Sequence, residues 1–430
     1  MMAGNGSTPA AGILRWAEIA ALASLAGLFA ILSLWDPQGV DFFAVCFFLT
    51  GSLLIDARDI EAAHWTRRRP FVFACAALIL AIPFVSAACS VNGFRSEVGS
   101  GVYTAAVAPA LFLVASSARF RLADRRTVGR LILISLYAGF IPGAIYGFTF
   151  TEWHGFFYLP GQPALNIAAI FISIIMAVTL FIVAEETRTI RFAGYAGVLL
   201  LFIPGLLTGS RTFVASTGVV FVCYAVFVMR NKELRRELYA IAALLAGMSL
   251  ISLVFWRSST ARLLEPKRLG FFDGRLGAWA DALTLFKRYP ACGIGPNTFY
   301  DVTRNPLYME RVQANVVFDD NYHAHNIYLN TIAEGGVLRG LLLLALIAAT
   351  AYGCYRVLRA NPNDAFGRIA ATTFAVFLLV GTFEDTIVRP VMVPLAIFLG
   401  LALNVTWIKR RSPSRDAEPT SPSGAAASTA

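Results

Sequence analysis

Residues 319–340 read Asp-Asp-Asn-Tyr-His-Ala-His-Asn-Ile-Tyr-Leu-Asn-Thr-Ile-Ala-Glu-Gly-Gly-Val-Leu-Arg-Gly, a segment rich in groups that move protons. Two of the chain's four histidines, His323 and His325, stand here beside Asn326, Tyr328 and Glu334. Imidazole titrates nearest neutrality, so a histidine in this setting suits abstraction of a hydroxyl proton. The His-x-His spacing also suits zinc, but such sites usually take three protein ligands and spacing fixes no third. The plainest alternative is that these histidines cap a helix. Helical spacing puts His325, Tyr328, Leu329 and Ile332 on one face. Gly335, Gly336 and Gly340 then allow a bend or a close approach.

Two arginines complete the candidate chemistry. Thr208-Gly-Ser-Arg211-Thr joins two apolar runs, and an arginine at such a border either snorkels or works. Arg275 opens the stretch 273–286, whose apolar residues at 276, 279, 280, 283 and 286 fit one face of a helix. Asp273 is the expected N-cap and Pro290 lies beyond the end. Such a helix should lie flat at a membrane interface, anchored by Trp279 and Phe286. A guanidinium at a helix N-terminus is a good receptor for phosphate, although contact with lipid headgroups would explain Arg275 equally well. Glu384 and Asp385, with Arg389, form a third charged cluster, between the last two apolar runs, that reads as a local ion pair.

These residues must be positioned by membrane helices. The chain has 430 residues, 57% hydrophobic and 14% charged, with a mean hydropathy of +0.65. That excludes a water-soluble enzyme, a disordered chain and a disulfide scaffold. Its six cysteines show no ligand spacing, so neither a disulfide framework nor a cysteine metal site is expected. The net charge of +10 is scattered in short clusters between apolar runs, the pattern of topology signals and not of a nucleic-acid surface. Apolar runs near 13–35, 41–55, 70–91, 101–118, 128–150, 162–184, 192–208, 212–229, 238–256, 337–358, 366–383 and 390–408 predict about twelve transmembrane helices. The second is short, and 192–229 can also be read as one re-entrant hairpin.

Alternate loops carry the basic residues. Arg67–Arg69, Arg119–Arg126, Arg188 and Arg191, Arg230–Arg236, Arg356–Arg368 and Lys409–Arg411 all fall on one side if twelve spans are assumed. The positive-inside rule makes that side, and both termini, cytoplasmic. Cleaving the first run as a signal peptide would break this alternation, so it is read as retained. The expected organisation is a disordered N-terminus at 1–12, nine spans in 13–256, an outer catalytic loop at 257–336, three spans in 337–408 and a disordered tail at 409–430. The loop is long and basic, and long ordered loops usually carry function.

The ordered set Gly-Ser-Arg211-Thr, Gly-Arg275-x-x-x-Trp279, Pro290-x-x-Gly-x-Gly-x-x-x-Phe299, His323-Ala-His325-Asn326-x-Tyr-Leu with Glu334-Gly-Gly, and Phe383-Glu384 resembles the O-antigen ligase and polymerase superfamily of bacterial inner membranes. The matching motifs fall within 204–400; the first half matches as hydrophobic helices alone. The resemblance implies an all-α polytopic, GT-C-like glycosyltransferase with a periplasmic active site. Its donor would be a glycan on undecaprenyl diphosphate. Its acceptor would be a sugar hydroxyl of lipid A–core for a ligase, or another lipid-linked repeat for a polymerase. It further implies His325 as base, Arg211 and Arg275 on the diphosphate, and His323, Asn326, Tyr328, Glu334 and Glu384 as substrate-side or orienting residues. No metal, nucleotide or other cofactor is called for. The rival class is a transporter of lipid-linked oligosaccharide. No internal repeat appears, however, and the polar candidates sit at the outer face instead of mid-membrane.

Overall fold

The computed structural model describes residues 9–34, 37–55, 88–90, 98–154, 165–229, 231–255, 275–295, 298–299, 324–384 and 388–404. Among these, secondary structure is helical apart from one isolated bridge between Ile55 and Ala118. The helices are α1 (Pro9–Leu34), α2 (Pro37–Ser52), α3 (Val98–Ser117), α4 (Arg125–His154), α5 (Leu165–Val183) and α6 (Arg188–Leu207). They continue as α7 (Arg211–Val228), α8 (Lys232–Phe255), α9 (Arg275–Arg288), α10 (Ile327–Ala360), α11 (Ala365–Val380) and α12 (Val388–Ala402).

Six of them are long and apolar enough to cross a membrane, within α1, α4, α5, α6, α7 and α10, and α2, α3, α11 and α12 contain shorter apolar helices. The 192–229 region resolves into two helices, α6 and α7, each long and apolar enough to cross a membrane. Most of the apolar run at 70–91, and both chain termini, lie outside the described residues.

α5 is the hub, because its sequence is apolar on every side. Its window is 94% buried, and it packs against α4, α6, α7, α11 and α12. A helix that is apolar all round has no outward face and belongs inside. Between spanning helices, polar contacts supply specificity at about 0.6 kcal/mol each. Ser173 of α5 bonds Ser216 and Thr217 of α7 at 2.7 and 3.0 Å. Tyr137 of α4 bonds Thr179 of α5 at 3.2 Å. Asn404, just past α12, donates to the carbonyls of Ala115 and Ala118 at 2.8 and 3.0 Å.

The basic loops gather at one end of the bundle. Arg125 pairs with Asp364, Arg130 with Glu186, and Arg191 with Glu233 and Glu237. The amide of Ala365 donates to Glu185, and that of Arg119 to the carbonyl of Leu54. Loops near and far in sequence thus interlock at this end. The opposite end holds the N-termini of α5, α7 and α10 and the C-terminus of α11.

A second, small core caps that opposite end. Ala282 and Leu285 of α9 meet Ile294, Phe299, Ala324 and Ala333, with Tyr289 and Leu329 alongside. The face of α9 that packs is Ala278, Asp281, Ala282 and Leu285. The apolar stripe expected at the membrane interface is a different face from this one. Leu276 and Leu283 remain exposed, and Trp279 and Phe286 are half-buried. Alanines allow α9 to approach α10 closely, which the larger apolar residues of the other stripe would prevent. The expected cap Asp273 lies outside the described residues.

Candidate active site

α10 is opened where it passes this small core. Gly336 sits at φ 62°, ψ −163°, a kink inside the helix. A Cβ at that position would run into the carbonyl of Ala291, so glycine alone is accommodated. The segment after α9 supplies the missing hydrogen bonds. Ile294 and Gly295 donate to the carbonyls of Ala333 and Glu334 at 3.1 and 2.9 Å, and Val337 donates to Pro290 at 2.7 Å. The backbone therefore stays satisfied through the kink. Glu334 is buried here, accepting from the Phe299 amide at 3.3 Å with Arg339 3.9 Å away. Its carboxylate joins the 290–299 segment to α10.

The start of α10 is fixed with equal care. Asn326 is its N-cap, accepting from the amides of Tyr328 and Leu329 at 3.0 Å each. Its own amide donates to the Thr382 carbonyl at 3.2 Å. Ile327 donates to Gly381 at 2.8 Å, and the Tyr328 hydroxyl to the Leu378 carbonyl at 2.9 Å. α10 is thereby seated on the end of α11. His325 precedes the cap and so lies off the helical face expected for it. Its backbone is left-handed, with φ 47°. A non-glycine residue held there is strained, a condition concentrated at functional sites.

His325 Nδ1 approaches Glu384 Oε1 at 3.7 Å. Glu384, just past α11, is 2% exposed. Its other oxygen accepts a 2.7 Å hydrogen bond from Asn166 Nδ2, at the start of α5. The Asn166 carbonyl in turn accepts from Ser210 Oγ at 2.5 Å, and Ser210 caps α7 by accepting from the Thr212 amide at 3.2 Å. Arg211 follows as the first residue of α7. Arg275, the first residue of α9, holds its guanidinium 5.9 Å from the Phe383 ring centroid, within range of a cation–π contact. Burial pulls Arg275 below the usual arginine range; Glu384 opposes the shift and Arg211 reinforces it. Two guanidinium groups therefore repel one another beside one carboxylate. The N-termini of α5, α7, α9 and α10 bring Asn166, Arg211, Arg275 and Asn326 to this end, adding partial positive charge. The arrangement favours an anion.

The structure thus brings Arg211, Arg275, His325 and Glu384 together, with Asn326 holding the helix beside them. It does not bring Tyr328 or Glu334 into the cluster: each spends its polar atoms on helix docking. His323 lies outside the described residues, as do Asp385 and the side chain of Arg389. The residue missed from sequence is Asn166. Its one signal was a polar residue opening an otherwise apolar helix. Among the described residues, no three His, Cys, Asp or Glu side chains gather as metal ligands.

Helices apolar enough to cross a membrane, with two arginines, a buried carboxylate and a strained histidine gathered at one end, define a class of polytopic proteins with a charged site at one end of the bundle. Residues 196–345 match the family model described as O-antigen ligase. Over that stretch, about a third of the chain, the protein is similar to the O-antigen ligase family. Arg211, Arg275, His325, Asn326, Tyr328 and Glu334 fall inside it, and Asn166 and Glu384 outside it. No curated protein is similar enough to count as a match.

Proposed function

We propose that the protein is an O-antigen ligase-like glycosyltransferase. It moves a glycan from undecaprenyl diphosphate to a sugar hydroxyl on lipid A–core at the periplasmic face of the inner membrane, with both termini cytoplasmic. The observation that carries this reading is the convergence of Arg211 and Arg275 with the Glu384–His325 pair. The family match supplies the reaction class.

Diphosphate is a competent leaving group, so such an enzyme mainly has to neutralise it and activate the acceptor. Arg211 and Arg275 grip the diphosphate oxygens in forks that lysine cannot copy. Glu384 faces Nδ1 of His325, which orients the ring and leaves Nε2 to take the acceptor proton. The acceptor oxygen bonds the anomeric carbon as the carbon–oxygen bond to diphosphate breaks. The electron pair leaves with the diphosphate, and in-line attack inverts the configuration. The guanidinium groups carry the neutralisation, so no metal enters the scheme. The exposed Leu276 and Leu283 of α9 seat that helix in lipid beside the donor's headgroup.

The test is transfer in a deletion strain complemented with His325→Ala. Transfer should fall by about 10²–10⁴-fold, the usual contribution of a general base, with the protein still present in the membrane. Unchanged transfer would end the base assignment. The carrier pool in the deletion strain separates the acceptors. Long glycans stranded on carrier identify a ligase, whereas single repeats identify a polymerase joining lipid-linked units. A normal carrier pool and normal surface glycan would overturn both and favour a transporter.

A further inference from the structure

Away from the cationic site, two cysteines distant in sequence meet. Cys89 lies exposed in the short helical turn 88–90, and Cys292 lies half-buried in the segment after α9. Their side chains are in hydrogen-bonding contact. A neighbouring pair gives a second, independent measure of the same approach. A Cβ placed on Gly295 would come within 3.1 Å of Ser90 Oγ, and Ser90 is buried. The turn 88–90 and the segment 292–295 therefore run against each other. Cys292 stands on firm backbone, because Gly293 donates to Tyr289 at 3.0 Å and the next two amides bond to α10.

We propose that Cys89 and Cys292 form an oxidisable dithiol whose disulfide fastens the segment 289–295, just after α9, to the 88–90 turn. A disulfide closes at about 2.05 Å between sulfurs, so two thiols already in contact need side-chain rotation and a small approach of the segments. Burial, and then the neighbouring Cys89 thiol, pushes Cys292 above the ordinary cysteine range. Cys292 therefore rests as a thiol, and the exposed Cys89 is the point of entry.

The oxidant is a disulfide of the thiol–disulfide exchange class. Cys89, as thiolate, attacks one oxidant sulfur and expels the other as a thiolate. Cys292 then loses its proton and attacks the mixed disulfide at Cys89, releasing the second oxidant thiolate. Two protons pass from the cysteines to the released thiolates, and two electrons reduce the oxidant's disulfide to two thiols. Oxidants of this class act outside the cytoplasm, so occupancy of the bond in cells rests on the outward orientation proposed above. It does not rest on the glycosyl-transfer reaction. Because the segment carrying Cys292 leads directly from the helix that presents Arg275, the bond would tie the cationic site to the first half of the chain.

The experiment uses full-length protein in detergent, treated with oxidised glutathione and then denatured and capped with a polyethylene-glycol maleimide. Of the six cysteines, the wild type should lose two capping additions on oxidation and regain them with dithiothreitol. Cys89→Ser and Cys292→Ser should each abolish that loss, while Cys46→Ser should leave it intact. A tryptic peptide joined through residues 89 and 292 identifies the bond. Six capped thiols after oxidation, or an unchanged loss of two in Cys89→Ser, would overturn the dithiol. Acid trapping of thiols in whole cells reads orientation separately. A bond that forms in detergent but is absent from trapped cells would overturn the outward placement and leave the dithiol standing.

Discussion

Asn166 donates a 2.7 Å hydrogen bond to Glu384 across 218 residues of sequence, joining the first residues of α5 to the end of α11. The same side chain receives Ser210, the cap of the helix that begins with Arg211. One amide thus sets the distance between the carboxylate beside His325 and the helix carrying an arginine. Removing it leaves a buried carboxylate short of a donor, which costs about 1.5–3 kcal/mol for a charged acceptor.

Asn166→Ala should lower turnover by about ten- to a hundredfold, following that energy, while the protein remains folded in the membrane. If Asn166 acts through the Glu384–His325 pair, the loss appears in kcat and the pH profile shifts, with KM for the donor little changed. A fall in abundance with an unchanged pH profile would instead mark Asn166 as a packing residue.

Arg211→Lys and Arg275→Lys test whether geometry matters beyond charge. A bidentate guanidinium fork matches phosphate oxygens, and an ammonium group does not. Each variant should lose at least about tenfold in kcat/KM for a lipid-diphosphate donor, in keeping with one charge-assisted hydrogen bond. Near-normal kinetics in both lysine variants would reduce the site to simple charge.

Much of this site was legible because its residue types are costly in an apolar chain. Arg211, Arg275 and His325 stood out because charged and proton-active side chains are expensive in an apolar chain. The bundle was legible too: α6 and α7 begin and end close to the apolar runs, and the arginine clusters interlock at one end. Other features were hidden for physical reasons. The packing face of α9 is made of Ala278, Asp281 and Ala282; beside a membrane, hydrophobic spacing marks the side turned outward as readily as the side turned in. The left-handed backbone of His325 has no signature in its side chain. Asn166 depends on a partner that no local pattern points to.

Gly336 is the joint between the site and its spanning helix, and its substitution tests the kink directly. Alanine there meets the Ala291 carbonyl and must hold a positive φ. Strained backbone of this kind costs about 1–3 kcal/mol. Gly336→Ala should lower the Tm of the purified protein in detergent and reduce transfer, because the 290–295 segment loses its seat on α10. Gly218→Ala is the control. A Cβ at Gly218 meets nothing within 4 Å, so its Tm should match the wild type or exceed it. Equal Tm values for the wild type and both variants would mean that α10 straightens at no expense.

At the far end of the bundle, Glu186 accepts two hydrogen bonds from Arg130, at 2.8 and 2.6 Å. These hold its carboxyl below the usual glutamate range; burial pushes the other way, and the remaining attraction of Arg130 adds to the lowering. A carboxylate whose pKa is depressed on folding binds fewer protons folded than unfolded. Its contribution is complete above the unfolded glutamate value and disappears as the pH falls through the folded one. Glu186→Gln should therefore have a lower Tm than the wild type at pH 7, and the gap should stay constant down to the ordinary glutamate range near pH ~4.3. Below that it should close, because both proteins then carry an uncharged side chain at this position. Thermal melts of the two proteins between neutral and acidic pH at fixed salt read the difference. A gap that widens on acidification would contradict the Arg130 pairing, and one that persists unchanged would assign the stabilisation to packing instead of charge.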